Sequence, residues 1–184
     1  MNEGHIARRY AKALLDYATA HGEDIALYDR MKLLSGVLAT APHLRKTISS
    51  PMVSYADKQQ LLCDAAGAEV EKSYRRFVRL LLENRRENLL RNIALCYIAL
   101  YRFTRRIGTV LLVSAEPLPG AIIERIRRHA EQQTQGKVEI ENRVDASIKG
   151  GFIFQIDDRR LDASVAGQLE KVRRLFVRKN KIIV

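Results

Sequence analysis

The sequence predicts an α+β chain, with an N-terminal six-helix bundle followed by a small C-terminal β-α-β-β-α domain. Three observations carry this. From Gly4 to about Arg106 apolar residues recur at three-and-four spacing, the period of helices that bury one face. After Gly108 the pattern changes to β-branched and alternating runs, which mark strands. Finally, 47% of the 184 residues are hydrophobic, enough for a real core in one or two small domains. The expected domains are 1–106 and 107–184.

In the first half, Ile6, Tyr10, Ala13, Leu14, Tyr17 and Ala18 form one stripe of a first helix, which His21-Gly22 ends. Leu27, Tyr28, Met31, Leu34 and Leu38 make a second. A short third helix (Leu44, Ile48) stops before Pro51, because the residue preceding a proline avoids helical geometry. Ser54 and Asp57 resemble a capping box that opens a fourth helix through Leu61, Leu62 and Ala65, and Gly67 closes it. A fifth carries Tyr74, Phe77, Val78, Leu81 and Leu82. A sixth carries Leu89, Leu90, Ile93, Ala94, Tyr97, Leu100 and Tyr101.

In the second half, Thr109 to Val113 reads as a buried strand. Pro117 and Pro119 are expected to open a helix bearing Ile122, Ile123, Ile126 and Ala130, since proline is tolerated in a first turn. Val138 and Ile140, then Phe152, Phe154 and Ile156, alternate as half-buried strands. Asp162 is the expected N-cap of a last helix whose seam is Val165, Leu169, Val172 and Phe176.

Composition narrows the class. The longest apolar run, Ile93 to Tyr101, falls well short of the roughly 18 residues that a membrane span needs. The start MNEGHIARRY has no apolar core of the secretory kind and no transit-peptide character, so the chain is expected to be mature at Met1. Cys63 and Cys96 lie within apolar helical patterns and read as reduced core residues. Secreted, membrane-spanning and disulfide-stapled classes are therefore excluded. The net charge of +11 suggests a nucleic acid, an acidic membrane surface or an acidic protein partner. The excess is spread, +7 over residues 1–106 and +4 over 107–184, so it does not choose among them.

No catalytic constellation emerges. His5, His21, His43 and His129 are scattered without ligand spacing, and no metal site is expected. No GxxxxGK[ST] or GxGxxG motif is present, and no cofactor is expected. Gly150-Gly151 leads into a strand rather than a helix N-terminus, which favours a tight turn over a phosphate cradle. Asp157-Asp158 with Asp162 reads as a turn and a cap.

Two features suit binding. Lys72, Arg75, Arg76 and Arg79 share one helical face, with Arg85 and Arg86 beyond, and this face is either a phosphate grip or simply solvated. Helices one and five also carry apolar residues beyond a single stripe, either as central packing or as a groove for another helix.

Ala7-Arg-Arg-Tyr-Ala-Lys-Ala13, Pro51 followed by Lys58, and Leu82-Glu-Asn-Arg-Arg86 resemble the N-terminal half of the delta subunit family of bacterial F-type ATP synthases. The mitochondrial members are the oligomycin-sensitivity-conferring proteins. Val113-Ser-Ala115 with Pro117-Leu118, Val144-Asp145, Ile148, Gly150-Gly151-Phe152 and Leu161-Asp162-Ala-Ser164 resemble the second half, so nearly the whole chain is covered. Phe154 and Asp157 depart from the family pattern, and Phe154 keeps the inward alternation.

The resemblance implies a noncatalytic stator subunit, a monomer outside its complex. It would tie the catalytic head to the peripheral stalk and so couple rotation to proton-driven ATP synthesis. Its bundle would receive the N-terminal helices of the alpha subunits, and its second domain would meet the C-terminal ends of the b subunits. The expected location is peripheral, on the cytoplasmic face of the bacterial plasma membrane. By position, the groove would lie between helices one and five, at Tyr10, Ala13, Leu14, Tyr17, Phe77, Leu80 and Leu81, with Arg76, Arg79 and Arg86 as a charged rim. Leu169, Arg173 and Phe176 of the last helix would meet the stalk. The alternative is a basic nucleic-acid-binding protein, supported by charge alone.

Overall fold

The computed structural model describes residues 3–67, 69–134, 136–156 and 159–180, with side chains through 174. It is α+β and divides into two compact units, Met1–Arg105 and Arg106–Val184.

The first unit is helical: α1 (Glu3–His21), α2 (Asp24–Thr40), α3 (Pro42–Ser49), α4 (Tyr55–Ala65), α5 (Lys72–Glu83) and, after a 3-10 turn at Glu87–Leu89, α6 (Leu90–Arg105). α6 is the hub, packed along both α1 and α2. Ala7, Ala11 and Ala18 are wholly buried on α1, and side chains this small let helix backbones approach closely. Leu27, Met31 and Leu34 of α2 and Leu90, Ile93 and Tyr97 of α6 are likewise buried. Two buried phenols keep partners: Tyr97 donates to the Asp24 carbonyl at 3.3 Å and Tyr74 to the Leu62 carbonyl at 2.9 Å. Burial pushes both phenol pKa values up. Cys63 is buried and Cys96 half-buried, both as free thiols.

Local chemistry sets the helix ends. Ser54 Oγ accepts the Asp57 N–H at 3.2 Å and donates to its carboxylate at 2.7 Å, so the capping pair forms with the shorter acid. At the end of α4 the chain turns through Gly67, whose φ is +109. Arg30 of α2 covers this turn, donating to the carbonyls of Ala66, Gly67 and Glu69 and pairing with Glu71 at 3.4 Å. Lys58 of α4 is nearly buried and meets Glu87 at 2.8 Å, tying α4 to the 3-10 turn. The last turn of α6 is fastened to α2: Arg105 pairs with the buried Asp24, Arg102 Nε donates to the Tyr28 hydroxyl at 2.8 Å, and Tyr101 stacks on Tyr28 with ring centroids 4.3 Å apart.

The second unit runs β1 (Gly108–Ser114), α7 (Gly120–Thr134), β2 (Val138–Val144), a 3-10 turn (Ala146–Ile148), β3 (Phe152–Ile156), β4 (Arg159–Asp162) and α8 (Val165–Asn180). The sheet order is β2-β1-β3-β4, with β1 and β2 parallel and the other pairs antiparallel. Register places Val110 beside Ile140 and Ile156, and Leu112 beside Phe154. Val110, Val138 and Ala130 of α7 form the core, with Phe154 packed against it in its inward position.

Several expectations change. β4 makes the unit β-α-β-β-β-α. Its sequence, Arg-Arg-Leu-Asp, has no apolar alternation, and its strand character comes from edge pairing with β3, a position where charge is favoured. α7 starts at Gly120, after both prolines, and the Pro119 carbonyl accepts the Ile122 and Ile123 amides. Ser164, not Asp162, caps α8: its Oγ accepts the Gly167 N–H at 3.0 Å. Asp162 instead holds Ser164, accepting its amide at 3.0 Å and its hydroxyl at 2.6 Å, and these bonds lower the Asp162 pKa. Asp157 and Asp158 lie outside the described residues.

Gly150-Gly151 serves close backbone packing. The Gly150 carbonyl accepts the Val165 amide at 3.0 Å, and the neighbouring Phe152 carbonyl accepts that of Ala163 at 3.0 Å. Gly151 has φ +74, and a Cβ there would stand 2.3 Å from the Ala163 carbonyl oxygen.

Candidate functional site

An apolar groove runs between α1 and α5. Two adjoining hollows form it, sharing Tyr10, Ala13 and Leu80. One, of about 280 Å³, is further lined by Leu14, Tyr17, Ser73, Arg76 and Phe77. The other, of about 430 Å³, extends to Ile6, Arg9 and Arg86. Helical geometry explains the selection. On α1, residues 6, 10, 13 and 17 recur at three-and-four spacing on one side, while Ala7, Ala11 and Ala18 face the bundle interior. Ser73, Phe77 and Leu80 do the same on α5.

Leu14 and Phe77 form a floor that is only 4% and 5% exposed. Leu80 is 47% exposed and Ala13 is open, so the hollow has apolar walls and, among the described residues of its own unit, no cover. Two arginines of the α5 side brace the tyrosines of α1. Arg86 donates to the Tyr10 hydroxyl at 2.9 Å with its guanidinium 5.4 Å from the ring centroid, and Arg76 donates to the Tyr17 hydroxyl. α5 therefore runs antiparallel to α1, with an Arg–Tyr strut toward each end of the groove.

Glu23, in the turn after α1, positions the start of α5. Its Oε2 accepts the Ser73 amide at 3.1 Å, one of the first-turn donors left without a helical acceptor. Hydrogen bonding from Ser73 lowers the Glu23 pKa, against the opposing effect of burial. A lowered folded pKa makes this link full strength above the unfolded value of about 4.3, and it is lost as pH falls through the folded one. The Ser73 amide shift in an NMR titration is expected to move with a midpoint below that of a free glutamate. Glu23→Gln should abolish the transition.

Of the residues expected at the groove, Tyr10, Ala13, Leu14, Tyr17, Arg76, Phe77, Leu80 and Arg86 line it. Leu81 does not: one residue beyond Leu80 turns about 100° around the helix, and Leu81 is wholly buried in the bundle. Arg79 also lies off the groove, paired with Glu83 at 2.8 Å while its carbonyl accepts the Tyr55 hydroxyl. Sequence reasoning missed Ile6, Arg9 and Ser73, although Ile6 lies on the same stripe as Tyr10 and Ala13.

In the second unit the seam of α8 is open rather than packed on the sheet. Val165, Leu169 and Val172 are 41%, 56% and 48% exposed. Arg173 is exposed and lies 4.0 Å from Glu170, and the Phe176 side chain lies outside the described residues. A larger hollow, about 660 Å³, opens between α7 and the sheet, with Ile122, Ile126, Phe152, Phe154 and Leu161 among its lining. The sequence signalled it only as half-buried positions on a helix and a strand.

Among the described residues no group of three or more His, Cys, Asp or Glu is placed to hold a metal ion, and no helix is long and apolar enough to cross a membrane.

Comparison with known proteins identifies the family of the chain. The family model of the ATP synthase delta (OSCP) subunit matches residues 6–176. The chain is 41% identical to ATP synthase subunit delta of Bacteroides thetaiotaomicron, with all of both chains covered. It is 34% identical to the subunit of the same name from Gloeobacter violaceus, with 91% of each covered. Its fold is similar to that of a chain in the mitochondrial ATP synthase hexamer of Toxoplasma gondii, with a TM-score of 0.67 and 22% identity over 96% of this chain and 98% of that one. Matched from its first helix into its last, and aligned with bacterial subunits from end to end, the chain belongs to the ATP synthase delta (OSCP) subunit family.

Proposed function

We propose that the groove between α1 and α5 receives the N-terminal helix of an alpha subunit, and that the second unit engages the C-terminal ends of the b subunits. The chain is a noncatalytic subunit of an F-type ATP synthase, the stator part that links the catalytic head to the peripheral stalk. The reading places it at the membrane surface through the complex, on the cytoplasmic face in a bacterium, and as a monomer on its own.

The observation that carries this reading is the open apolar groove itself. Its floor is core-like, its small central residue Ala13 allows close approach, and its length suits an amphipathic helix presenting every third or fourth residue. Holding the head against the rotor requires slow dissociation, which apolar burial supplies without dependence on salt. In the second unit, the open seam of α8 at Leu169 and the hollow beside α7 are two apolar surfaces suited to a stalk helix.

Calorimetric titration of the full chain with a synthetic N-terminal segment of its alpha subunit tests the assignment. One-to-one binding at micromolar concentration or tighter, most of it surviving 0.5 M salt, is expected. A folded chain that binds neither this segment nor a C-terminal b segment overturns the proposal.

A further inference from the structure

Resting on the reading of the groove as a helix site, we infer that Arg76 and Arg86 read two carboxylates set seven residues apart on the flank of the docked helix. Each guanidinium is fixed by a neutral phenol, Arg76 by Tyr17 and Arg86 by Tyr10. Among the described residues neither meets a carboxylate, whereas Arg30, Arg79 and Arg105 of the same unit pair with Glu71, Glu83 and Asp24. A phenol orients a guanidinium without neutralising it. With one donor spent on the hydroxyl, several of the five N–H groups of each arginine remain for a ligand.

Their placement gives these charges a ruler. Tyr10 and Tyr17 are seven residues apart on α1, so the two struts stand about 10 Å apart along the groove. A helix lying along the groove advances by the same rise. Carboxylates at positions i and i+7 on one flank therefore reach both arginines while the apolar face sits on Leu14 and Phe77. Arg9 adds positive charge at the Tyr10 end, and Asp16 of α1 is an exposed acid near the Tyr17 end. The low-dielectric floor strengthens the field between the struts.

The consequence is selection. An amphipathic helix with acidic flanks is drawn in and set in register, and one with basic flanks is repelled. The chain's own α8 has an open apolar seam, and beside it Lys171, Arg173 and Arg174 outweigh Glu170, the acid both arginines pair with, so the rim disfavours a second copy of this chain.

The test uses the full chain and the alpha-subunit N-terminal segment, titrated at 0.02 M and 0.5 M salt. The double variant Arg76→Gln/Arg86→Gln is expected to weaken binding about tenfold at low salt and less than about twofold at high salt. The double lysine variant, which keeps both charges but loses the guanidinium forks that the phenols orient, should bind between the parent and the glutamine variant at low salt. Replacing the two acidic residues of the peptide by glutamine should reproduce the loss and add little to that of the glutamine variant. Two results overturn the inference while leaving the groove in place: unchanged binding by the glutamine variant, or a loss that is independent of salt and reproduced by Tyr10→Phe/Tyr17→Phe. Absence of binding by the folded parent removes the groove reading, and this inference with it.

Discussion

Ala13→Asp is expected to lower affinity for the alpha-subunit segment by about a hundredfold or more while leaving the bundle folded. The substitution sets a carboxylate midway along the groove, over the apolar floor of Leu14 and Phe77, where a docked helix would strip its water. An unpaired buried charge costs at least about 3 kcal/mol, and every 1.4 kcal/mol is a factor of about ten in affinity. The side chain is exposed in the free chain, so folding loses only the difference in helix propensity, about 0.7 kcal/mol. Ala13→Trp should reach the same loss by volume alone, without charge. Calorimetry measures the affinity and circular dichroism checks the fold. Parent-like binding by both variants would place the alpha-subunit site elsewhere on the chain.

The largest effect on stability is expected at Gly151. An alanine there meets the Ala163 carbonyl oxygen at 2.3 Å, and its backbone has to remain at φ +74. A flexible side chain would yield to the new methyl, but this obstacle is the backbone that leads from β4 into α8. The bonds that fix it, Val165 to Gly150 and Ala163 to Phe152, hold it against movement. Steric overlap and positive φ together should cost about 3–5 kcal/mol, a large fraction of the stability of a small unit. Amide hydrogen exchange reads the result by segment. Protection in β1 and β3 should fall steeply, while that of α1 and α6 in the other unit stays as in the parent. Equal protection in β1 and β3 would show that the turn relaxes more readily than its geometry implies.

These effects were unequally visible in the sequence. The helices of the first unit follow from apolar spacing, because a helix buried on one side has to repeat its core residues every three or four positions. The groove is partly legible for the same reason: residues on α1 beyond the buried alanine stripe had to face something. Leu80 and Leu81 show the limit. Both are leucines in one apolar run, and only the rotation of α5 about its axis, set by packing, sends one outward and the other into the core. The arginines show another. Arg76, Arg79 and Arg86 read alike, yet two brace tyrosines more than fifty residues away in the chain and one pairs with Glu83 a turn along its own helix. Such long-range partners leave no periodic trace. In the second unit, β4 was hidden because an edge strand draws its order from its neighbour's backbone and not from its own side chains.

The fastening of α6 to α2 has a mechanical consequence. α6 ends at Arg105, the last residue of the first unit, so any load passing along the chain from the second unit enters the bundle through that helix end. Helix ends ordinarily fray first. This one is bolted down by the Arg105–Asp24 pair, the Arg102–Tyr28 bond and the Tyr28–Tyr101 stack before the apolar interior is reached. A pull then spreads into α2 at the outset and into α1 along the length of α6, rather than unwinding a single turn. A part that links the catalytic head to the peripheral stalk is thus stiffened where strain would arrive.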